Sequence, residues 1–261
     1  MEKISKQIKD WLSLYAITSH VKGFVVGVSG GIDSAVVSTL CAETGLPTIL
    51  VTLPINKQVG SDLAWRHVNL LKDNYKNVNY IDVDLSKSYD EFKSIHDDCR
   101  IDNGKNTHLA LANSQSRFRM MSLYYIASLN NMLVVGTGNK VEDFGIGFFT
   151  KYGDGGVDIS PIADLMKSEV VELGKYLGVI PDIVNAKPTD GLWTDGRTDE
   201  DQIGATYDEL EWAMNYLGTG IEDPFNEPPE NRKEIVLNIY KDRHSKNVHK
   251  MIPIPICKIK R

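Results

Sequence analysis

Apolar and amphipathic segments alternate along the chain. Short runs rich in Val, Ile and Leu have the continuous hydrophobicity of buried strands, and they lie at 23–28, 48–53, 78–83 and 132–136. Helical spacing of apolar residues follows at 34–44, 60–73, 86–96, 107–130, 206–217 and 228–246. Because strands and helices alternate, the pattern predicts an α/β fold with a parallel sheet.

The two ends of this pattern complete the predicted architecture. An amphipathic helix is predicted over 4–19, and its apolar face comprises Ile4, Ile8, Trp11, Leu12 and Tyr15. Another helix is predicted to begin with Asp164 as its N-cap and to end at Gly178. The chain shows no internal repeat, and we expect residues 1–261 to form a single domain. Its expected class is a Rossmann-like open, twisted parallel sheet of about five strands, with helices on both faces.

Composition narrows the class of protein further. The net charge of −6 argues against a broad basic surface for nucleic acid. No apolar run approaches the ~18 residues that span a bilayer, and the first residues lack the apolar core of a signal peptide. The three cysteines are widely separated, which is typical of a reducing compartment. The sequence therefore predicts a cytoplasmic protein that binds neither nucleic acid nor membranes.

One glycine-rich segment carries the first chemical signal. Residues 27–34 read Gly-Val-Ser-Gly-Gly-Ile-Asp-Ser and connect the first strand of the sheet to a helix. Glycines allow a tight turn and close approach to a ligand, and the helix N-terminus adds roughly half a positive charge, which favours phosphate. No Gly-Lys-Ser/Thr follows, so the segment is not a Walker loop. The structural alternative is a simple turn with Asp33 or Ser34 as the helix N-cap.

A second polar segment follows the strand at 132–136. Ligands of open parallel sheets bind beyond the carboxyl ends of the strands, so this segment is expected to face the glycine-rich loop. It contains Glu142, which makes Glu142 and Asp33 a candidate pair of carboxylates. Mg²⁺ prefers one or two carboxylates together with phosphate oxygens and water, so the pair is a candidate magnesium site.

Longer motifs relate the chain to known enzymes. The run Ser-Gly-Gly-Ile-Asp-Ser at 29–34 resembles the fingerprint of the PP-loop ATP pyrophosphatases. The run Phe-Phe-Thr-Lys-Tyr-Gly-Asp-Gly-Gly at 148–156 resembles the ammonia-dependent NAD⁺ synthetases within that superfamily. Further matches are Pro161, Lys167, Lys187-Pro-Thr189, Ala205–Glu209 and His249-Lys250. The resemblance extends from about residue 20 to residue 252.

The resemblance implies a role for each matched residue. The implied ATP-binding residues are Gly27, Val28, Ser29, Gly30, Gly31, Ile32, Asp33, Ser34, Thr137, Lys167 and Thr189. Asp33 and Glu142 would bind Mg²⁺, and Lys167 would act in catalysis by stabilising the developing pyrophosphate. The implied substrate-binding residues are Arg117, Lys151, Asp158, His249 and Lys250, with Arg119 as the structural neighbour of Arg117. Asp158 is also the catalytic candidate for binding or deprotonating ammonium.

The resemblance also implies the reaction and the assembly. Deamido-NAD⁺, ATP and ammonia would give NAD⁺, AMP and pyrophosphate through an acyl-adenylate, the last step of NAD⁺ biosynthesis. The family forms homodimers with the substrate at the subunit interface. We expect no glutaminase domain, so ammonia would be the direct nitrogen donor. Whether a separate glutaminase partner supplies that ammonia is left open by the sequence. The loop at 190–200 is a candidate lid, with Gly191 and Gly196 as hinges and Trp193 over the nucleotide.

Departures from the family pattern and rival functions complete the prediction. Many relatives have Gly-Thr-Asp-His where this chain has Gly-Thr-Gly-Asn-Lys at 136–140, and the segment to Phe148 is one residue longer, so the substrate-side loop is expected to differ.

A tRNA-modifying PP-loop enzyme would need a basic surface, and its sulfur-transferring members would need paired cysteines. A non-catalytic nucleotide-binding regulator would not need Asp33, Glu142 and Lys167 together. No site is assigned to the tail at 253–261.

Overall fold

A four-stranded parallel sheet forms the centre of the molecule. The computed structural model describes residues 1–56, 61–96, 99, 107–188, 198–219 and 227–259. The strands are β1 (Phe24–Gly27), β2 (Thr48–Thr52), β3 (Val78–Asp82) and β4 (Leu133–Val135). Their order in the sheet is β3-β2-β1-β4, and every pair is parallel. The predicted parallel α/β fold is therefore confirmed.

Helices precede, connect and follow these strands. The α-helices are α1 (Glu2–Thr18), α2 (Ile32–Glu43), α3 (Ser61–Asn74), α4 (Ser86–Ile95), α5 (Thr107–Asn130), α6 (Lys167–Tyr176), α7 (Pro181–Val184), α8 (Asp199–Ile203), α9 (Tyr207–Thr219) and α10 (Glu230–Met251). A π-helix, Val141–Ile146, follows β4 and was not predicted. Among the described residues, no helix combines the length and the hydrophobicity needed to cross a membrane.

The predicted strand count of about five was too high for the described residues. The four predicted strands are present, and the chain next to β4 adds only an isolated parallel bridge between Val135 and Ile159. Gly136 donates a hydrogen bond to the Ile159 carbonyl at 2.7 Å. Pro161 follows two residues later and has no N–H for a further ladder bond, so the pairing does not extend into a strand.

The sheet is covered on both faces, as predicted. Phe24 and Val26 of β1 pack with helices α1, α2, α3 and α6 on one face, whereas Val25 packs with α4 and α5 on the other. A third apolar cluster joins the π-helix to α9 and α10 and includes Val141 and Leu210. This cluster fixes the π-helix beside the carboxyl end of β4.

Two helix predictions need correction. Trp11 and Tyr15 are 40% and 39% exposed, because α1 packs through Ser5, Ile8, Leu12 and Ala16, whose small members let it approach α2. Helix α6 begins at Lys167 rather than after Asp164. Its first turn is instead closed by the Glu169 carboxylate, which accepts the Met166 N–H at 2.8 Å. Gly178 has φ +73°, as expected for the residue that ends this helix.

Candidate active site

The glycine-rich loop lies between β1 and α2 at the point where the strand order reverses. Gly30 has φ +89°, a conformation that favours glycine, and Gly31 is the N-cap of α2. The Ser34 hydroxyl donates to the Gly31 carbonyl at 3.0 Å and accepts the Ser29 N–H at 3.2 Å. The loop is therefore closed by its own hydrogen bonds, and the alternative that Asp33 or Ser34 is the N-cap is wrong.

Asn139 joins this loop to the segment after β4. Its side chain is fully buried, and its amide donates to Asp33 Oδ1 at 3.1 Å. Its carbonyl oxygen accepts the Glu142 backbone N–H, also at 3.1 Å. One amide side chain thus fixes both predicted metal ligands, although it lies where the chain departs from the family pattern.

Lys167 lies between the two carboxylates. Its ammonium group is 2.5 Å from Asp33 Oδ2 and 3.1 Å from Glu142 Oε1, and the three side chains are only 7%, 17% and 16% exposed. Burial alone would lower the pKa of Lys167, but attraction to the two carboxylates raises it above its ordinary value. Lys167 is therefore a buried cation, not a solvated lysine in the first turn of a helix.

Tyr207 completes this centre from the start of α9. Its hydroxyl donates to Glu142 Oε1 at 2.6 Å, and its ring centroid lies 4.8 Å from the Lys167 ammonium. Burial and the neighbouring carboxylates raise the pKa of Tyr207, so the hydroxyl stays a donor. Tyr207 belongs to a segment that matches the family motif, but the sequence assigned it no role.

The centre can accept a divalent cation on chemical grounds. Two carboxylates already point at one cation, and oxygen ligands of this type are those that Mg²⁺ prefers. Among the residues that the structure describes, no group of three or more His, Cys, Asp or Glu could hold a metal. Any further ligands would come from phosphate and water, which is the usual arrangement for magnesium at a nucleotide site.

Four of the five predicted substrate-binding residues are brought together at a second location. Lys151 donates to the His249 carbonyl at 2.6 Å, and the Arg117 guanidinium lies 3.3 Å from the Lys151 carbonyl. Lys250 donates to the Gly147 carbonyl at 2.8 Å. The four residues therefore line one region where α5, the loop after the π-helix and the end of α10 meet.

Asp158 lies apart from that group, beside β4. Its Oδ2 accepts the Val134 N–H at 2.8 Å, and its Oδ1 accepts the Tyr124 hydroxyl at 3.1 Å. Burial and the Asp158 charge raise the pKa of Tyr124 to about 12, so this hydroxyl remains protonated. The carboxylate is thus held by two donors beside Val134, the middle residue of β4.

Other predicted residues have a structural place or lie outside the described chain. Arg119 donates to the Leu53 carbonyl at 3.1 Å, and burial lowers its pKa to about 10, which agrees with a structural role. Thr137 is in the loop directly after β4. Thr189 and residues 190–197 of the candidate lid, which include Gly191, Trp193 and Gly196, lie outside the described residues.

The glycine-rich segment that carried the strongest resemblance is folded against α5. Asp154 accepts the Ser116 hydroxyl at 2.7 Å and the Thr150 N–H at 2.9 Å. A side chain at Gly153 would lie 2.3 Å from the Ser116 hydroxyl, so this position has no room for a larger residue. The segment therefore forms a compact turn that carries Lys151.

Comparison with known proteins agrees with this geometry. The family model described as NAD synthase matches residues 4–253. The chain belongs to the NAD synthase family. Within it, the chain is 40% identical over 232 residues to the NH₃-dependent NAD⁺ synthetase of Mesoplasma florum, covering 88% of this chain and 87% of the relative. The corresponding synthetase of Alkaliphilus metalliredigens is 37% identical over 261 residues, with 96% of each chain covered.

Solved structures of this family have the same fold. NMN synthetase from Francisella tularensis superposes with a TM-score of 0.84 at 33% identity, covering 99% of this chain and 98% of that one. NH₃-dependent NAD synthetase from Campylobacter jejuni, in complex with nitrate, superposes with a TM-score of 0.76 at 27% identity, covering 98% and 99%. The predicted family is thereby confirmed.

Proposed function

We propose that this NAD synthase family member amidates deamido-NAD⁺ with ammonia and ATP, and releases NAD⁺, AMP and pyrophosphate. The observation that carries the proposal is the meeting of Asp33, Glu142 and Lys167 beside a glycine-rich loop at a helix N-terminus. Relatives with 36–40% identity are named NH₃-dependent NAD⁺ synthetases. The reaction is a ligation that forms a C–N bond.

Ammonia cannot directly displace an oxygen of the substrate carboxylate, because that oxygen is a poor leaving group. The reaction must therefore first convert it into a better one. Attack of the substrate carboxylate on the α-phosphorus of ATP forms an acyl-adenylate and releases pyrophosphate. Ammonia then attacks the acyl carbon, AMP leaves with the C–O bond electrons, and the nitrogen loses a proton. No enzyme nucleophile is needed, so the protein contributes positioning and charge stabilisation.

The carboxylate–lysine centre suits the first of these steps. We propose that Asp33 and Glu142 bind Mg²⁺, which would neutralise charge on the ATP phosphates. Backbone N–H groups of the loop at 28–34 would bind the phosphates, since they lie at the N-terminus of α2. Lys167 would then contact the departing pyrophosphate, as its ammonium is already buried in this centre.

Asp158 is our candidate for the second step. Its carboxylate is held by Tyr124 and Val134, so it is fixed in position while it carries charge that can attract ammonium. Asp158→Asn should reduce NAD⁺ formation at limiting ammonium while ATP-pyrophosphate exchange with the acid substrate continues. An unchanged ammonium dependence in this variant would remove Asp158 from the amidation step.

We also propose that the protein acts as a homodimer. On α5, Ile126 and Ala127 face the core, whereas Met121, Tyr125 and Leu129 are 58–67% exposed at a spacing of four residues. Such a stripe on one helical face suits a second copy of the chain. Tyr125→Lys should shift the mass measured by light scattering from dimer to monomer, and an unchanged mass would reject this face.

A second candidate substrate is the mononucleotide acid. The Francisella tularensis relative with a TM-score of 0.84 is named an NMN synthetase, whose amide product corresponds to nicotinate mononucleotide as the acid. The same adenylation and amidation would apply to either acid. The specificity constants for deamido-NAD⁺ and nicotinate mononucleotide, measured side by side, decide between them.

The test is a reaction with ATP, Mg²⁺, ammonium chloride and deamido-NAD⁺, in which NAD⁺ and AMP are measured together. Equimolar NAD⁺ and AMP that both depend on ammonium would support the proposal. AMP formation only with nicotinate mononucleotide would support the second candidate. Nucleotide binding without AMP from either acid would favour a non-catalytic regulator.

A further inference from the structure

Three side chains on one face of α10 bind the end of the π-helix. His244, Asn247 and Lys250 are spaced by three residues and therefore lie on the same side of the helix. Their nitrogen atoms lie 2.6, 2.9 and 2.8 Å from the carbonyl oxygens of residues 145, 146 and 147, in that order. We call these three residues the α10 clamp.

The clamp binds carbonyl groups at the C-terminal end of the π-helix, where a helix provides no N–H partners of its own. The last carbonyls of any helix lack N–H donors from within it, and here the helix ends at Gly147 with φ +62°. A side chain at Gly147 would lie 2.4 Å from the Asn247 Cβ, so α10 contacts the backbone directly. The clamp thus supplies the donors that would otherwise be missing at this end.

One peptide group connects the clamp to Glu142. Asn247 donates to the Ile146 carbonyl, and the N–H of the same planar peptide group, on Gly147, donates to the Glu142 carbonyl. Phe148 adds a second N–H to that carbonyl at 2.9 Å. The wide π turn that presents Glu142 is therefore held at its far end by Asn247.

We propose that the α10 clamp positions Glu142 for the metal, with Asn247 and His244 as positioning residues. π turns are rare and are retained mostly at functional sites. Without the clamp, the Glu142 carbonyl would be free to pair one residue earlier, as in an α-helix, and the carboxylate would turn away from Asp33. The inference rests on the metal site of the proposed function, not on the identity of the acid substrate.

The test compares metal binding in two matched variants. Asn247→Asp keeps the size of the side chain but removes its donor, and Asn238→Asp makes the same change at an exposed position of α10. The probe is Mn²⁺, which has similar ligand preferences to Mg²⁺. It is added with a non-hydrolysable α,β-methylene ATP analogue, and the electron paramagnetic resonance signal of free Mn²⁺ is compared with a protein-free blank, since the analogue alone also binds Mn²⁺. We expect Asn247→Asp to weaken Mn²⁺ binding about 10-fold, the lower end of the range for changes in residues that hold metal ligands in place. Asn238→Asp should leave it unchanged.

His244 gives a second pair of variants should Asn247→Asp fail to fold. His244→Phe keeps a ring beside Tyr240 but cannot donate to the Gly145 carbonyl, whereas His244→Asn keeps a donor. We expect His244→Phe to weaken Mn²⁺ binding and His244→Asn to restore most of it. A purely structural clamp would lower the unfolding temperature without changing Mn²⁺ affinity.

The outcomes separate this inference from the proposed function. Mn²⁺ affinities of Asn247→Asp and His244→Phe within twofold of the wild type would overturn the positioning role, and so would absence of Mn²⁺ binding by the wild type. Normal Mn²⁺ binding and the expected losses, without amidation of either acid, would reject the proposed function and leave the positioning role supported.

Discussion

Removal of Lys167 should cost stability without creating a large cavity. Lys167→Met keeps a long unbranched side chain but removes the cation between Asp33 and Glu142. Both carboxylates would remain buried, and among the described residues the side chains left to bind them are the neutral donors Asn139 and Tyr207. The expected effect is therefore an uncompensated buried charge, not a loss of packing.

The size of this effect follows from the burial of the centre. Breaking a buried ion pair by removing one partner costs about 3–5 kcal/mol of unfolding free energy. The two remaining donors place Lys167→Met near the lower end of that range. For a chain of this length, each kcal/mol lowers the unfolding temperature by about 2–4 °C, so a fall of roughly 10 °C is expected. The deficit should shrink at acidic pH, because one of the two carboxylates can then take up a proton.

The assay is urea unfolding in EDTA, with Lys175→Met as the matched control. Lys175 is on the same helix, but its ion pair with Glu172 is more than half exposed, so its loss should cost less than about 1 kcal/mol. Mg²⁺ with a non-hydrolysable ATP analogue should restore part of the stability of Lys167→Met, since the metal replaces the missing cation. If Lys167→Met and Lys175→Met are equally stable in EDTA, the buried centre does not depend on this lysine and the reasoning is wrong.

Two further predictions concern Tyr207 and His67. Tyr207→Phe removes the 2.6 Å hydrogen bond to Glu142, so the Mg²⁺ concentration for half-maximal AMP formation should rise about 10-fold. Burial lowers the pKa of His67 from 6.5 to about 4, so the folded protein keeps this ring neutral. The unfolded chain takes up the proton below about pH 6.5, and stability to urea should therefore fall by about 2 kcal/mol between pH 7 and pH 5 through this residue.

Each of these predictions has a matched comparison. Tyr216→Phe makes the same change on α9, where Tyr216 stacks on Trp212, and it should leave the Mg²⁺ dependence unchanged. Equal Mg²⁺ requirements for the Tyr207 and Tyr216 variants would contradict the role assigned to the Tyr207 hydroxyl. His67→Gln should flatten the pH dependence of stability, and identical slopes in this variant and the wild type would show that the buried imidazole does not contribute.

The sequence predicts best those features that depend on residue type and chain order. Gly30, Asp33 and Glu142 are identifiable because each follows a strand of a parallel sheet, and the carboxyl ends of such strands converge. Asn139 and Tyr207 are not identifiable in this way, because an amide or a phenol is equally common in a loop or a core. Their roles depend on distances across 106 and 65 residues of chain, which no local pattern contains.

The wrong prediction that Trp11 and Tyr15 lie on the buried face of α1 has a similar physical origin. Two overlapping apolar stripes fit the same helix, one containing Ile8 and Leu12 and the other containing Trp11 and Tyr15. Large side chains dominate a periodicity argument, yet the buried stripe also includes Ser5 and Ala16, whose small size lets α1 approach α2. Hydrophobic spacing therefore predicts that a helix is amphipathic, but not which of two apolar stripes faces the core.

The separation of Asp33 and Lys167 by 134 residues has a consequence for the way the chain folds during synthesis. Strands β1, β2 and β3 leave the ribosome early and pair with near neighbours in sequence, whereas β4 must dock beside β1 after Leu133 has been made. Until α6 follows, the nascent protein has a glycine-rich loop with an acidic residue and no counter-charge beside it. The buried ion pair between Asp33 and Lys167 can therefore form only when the C-terminal half docks onto the sheet.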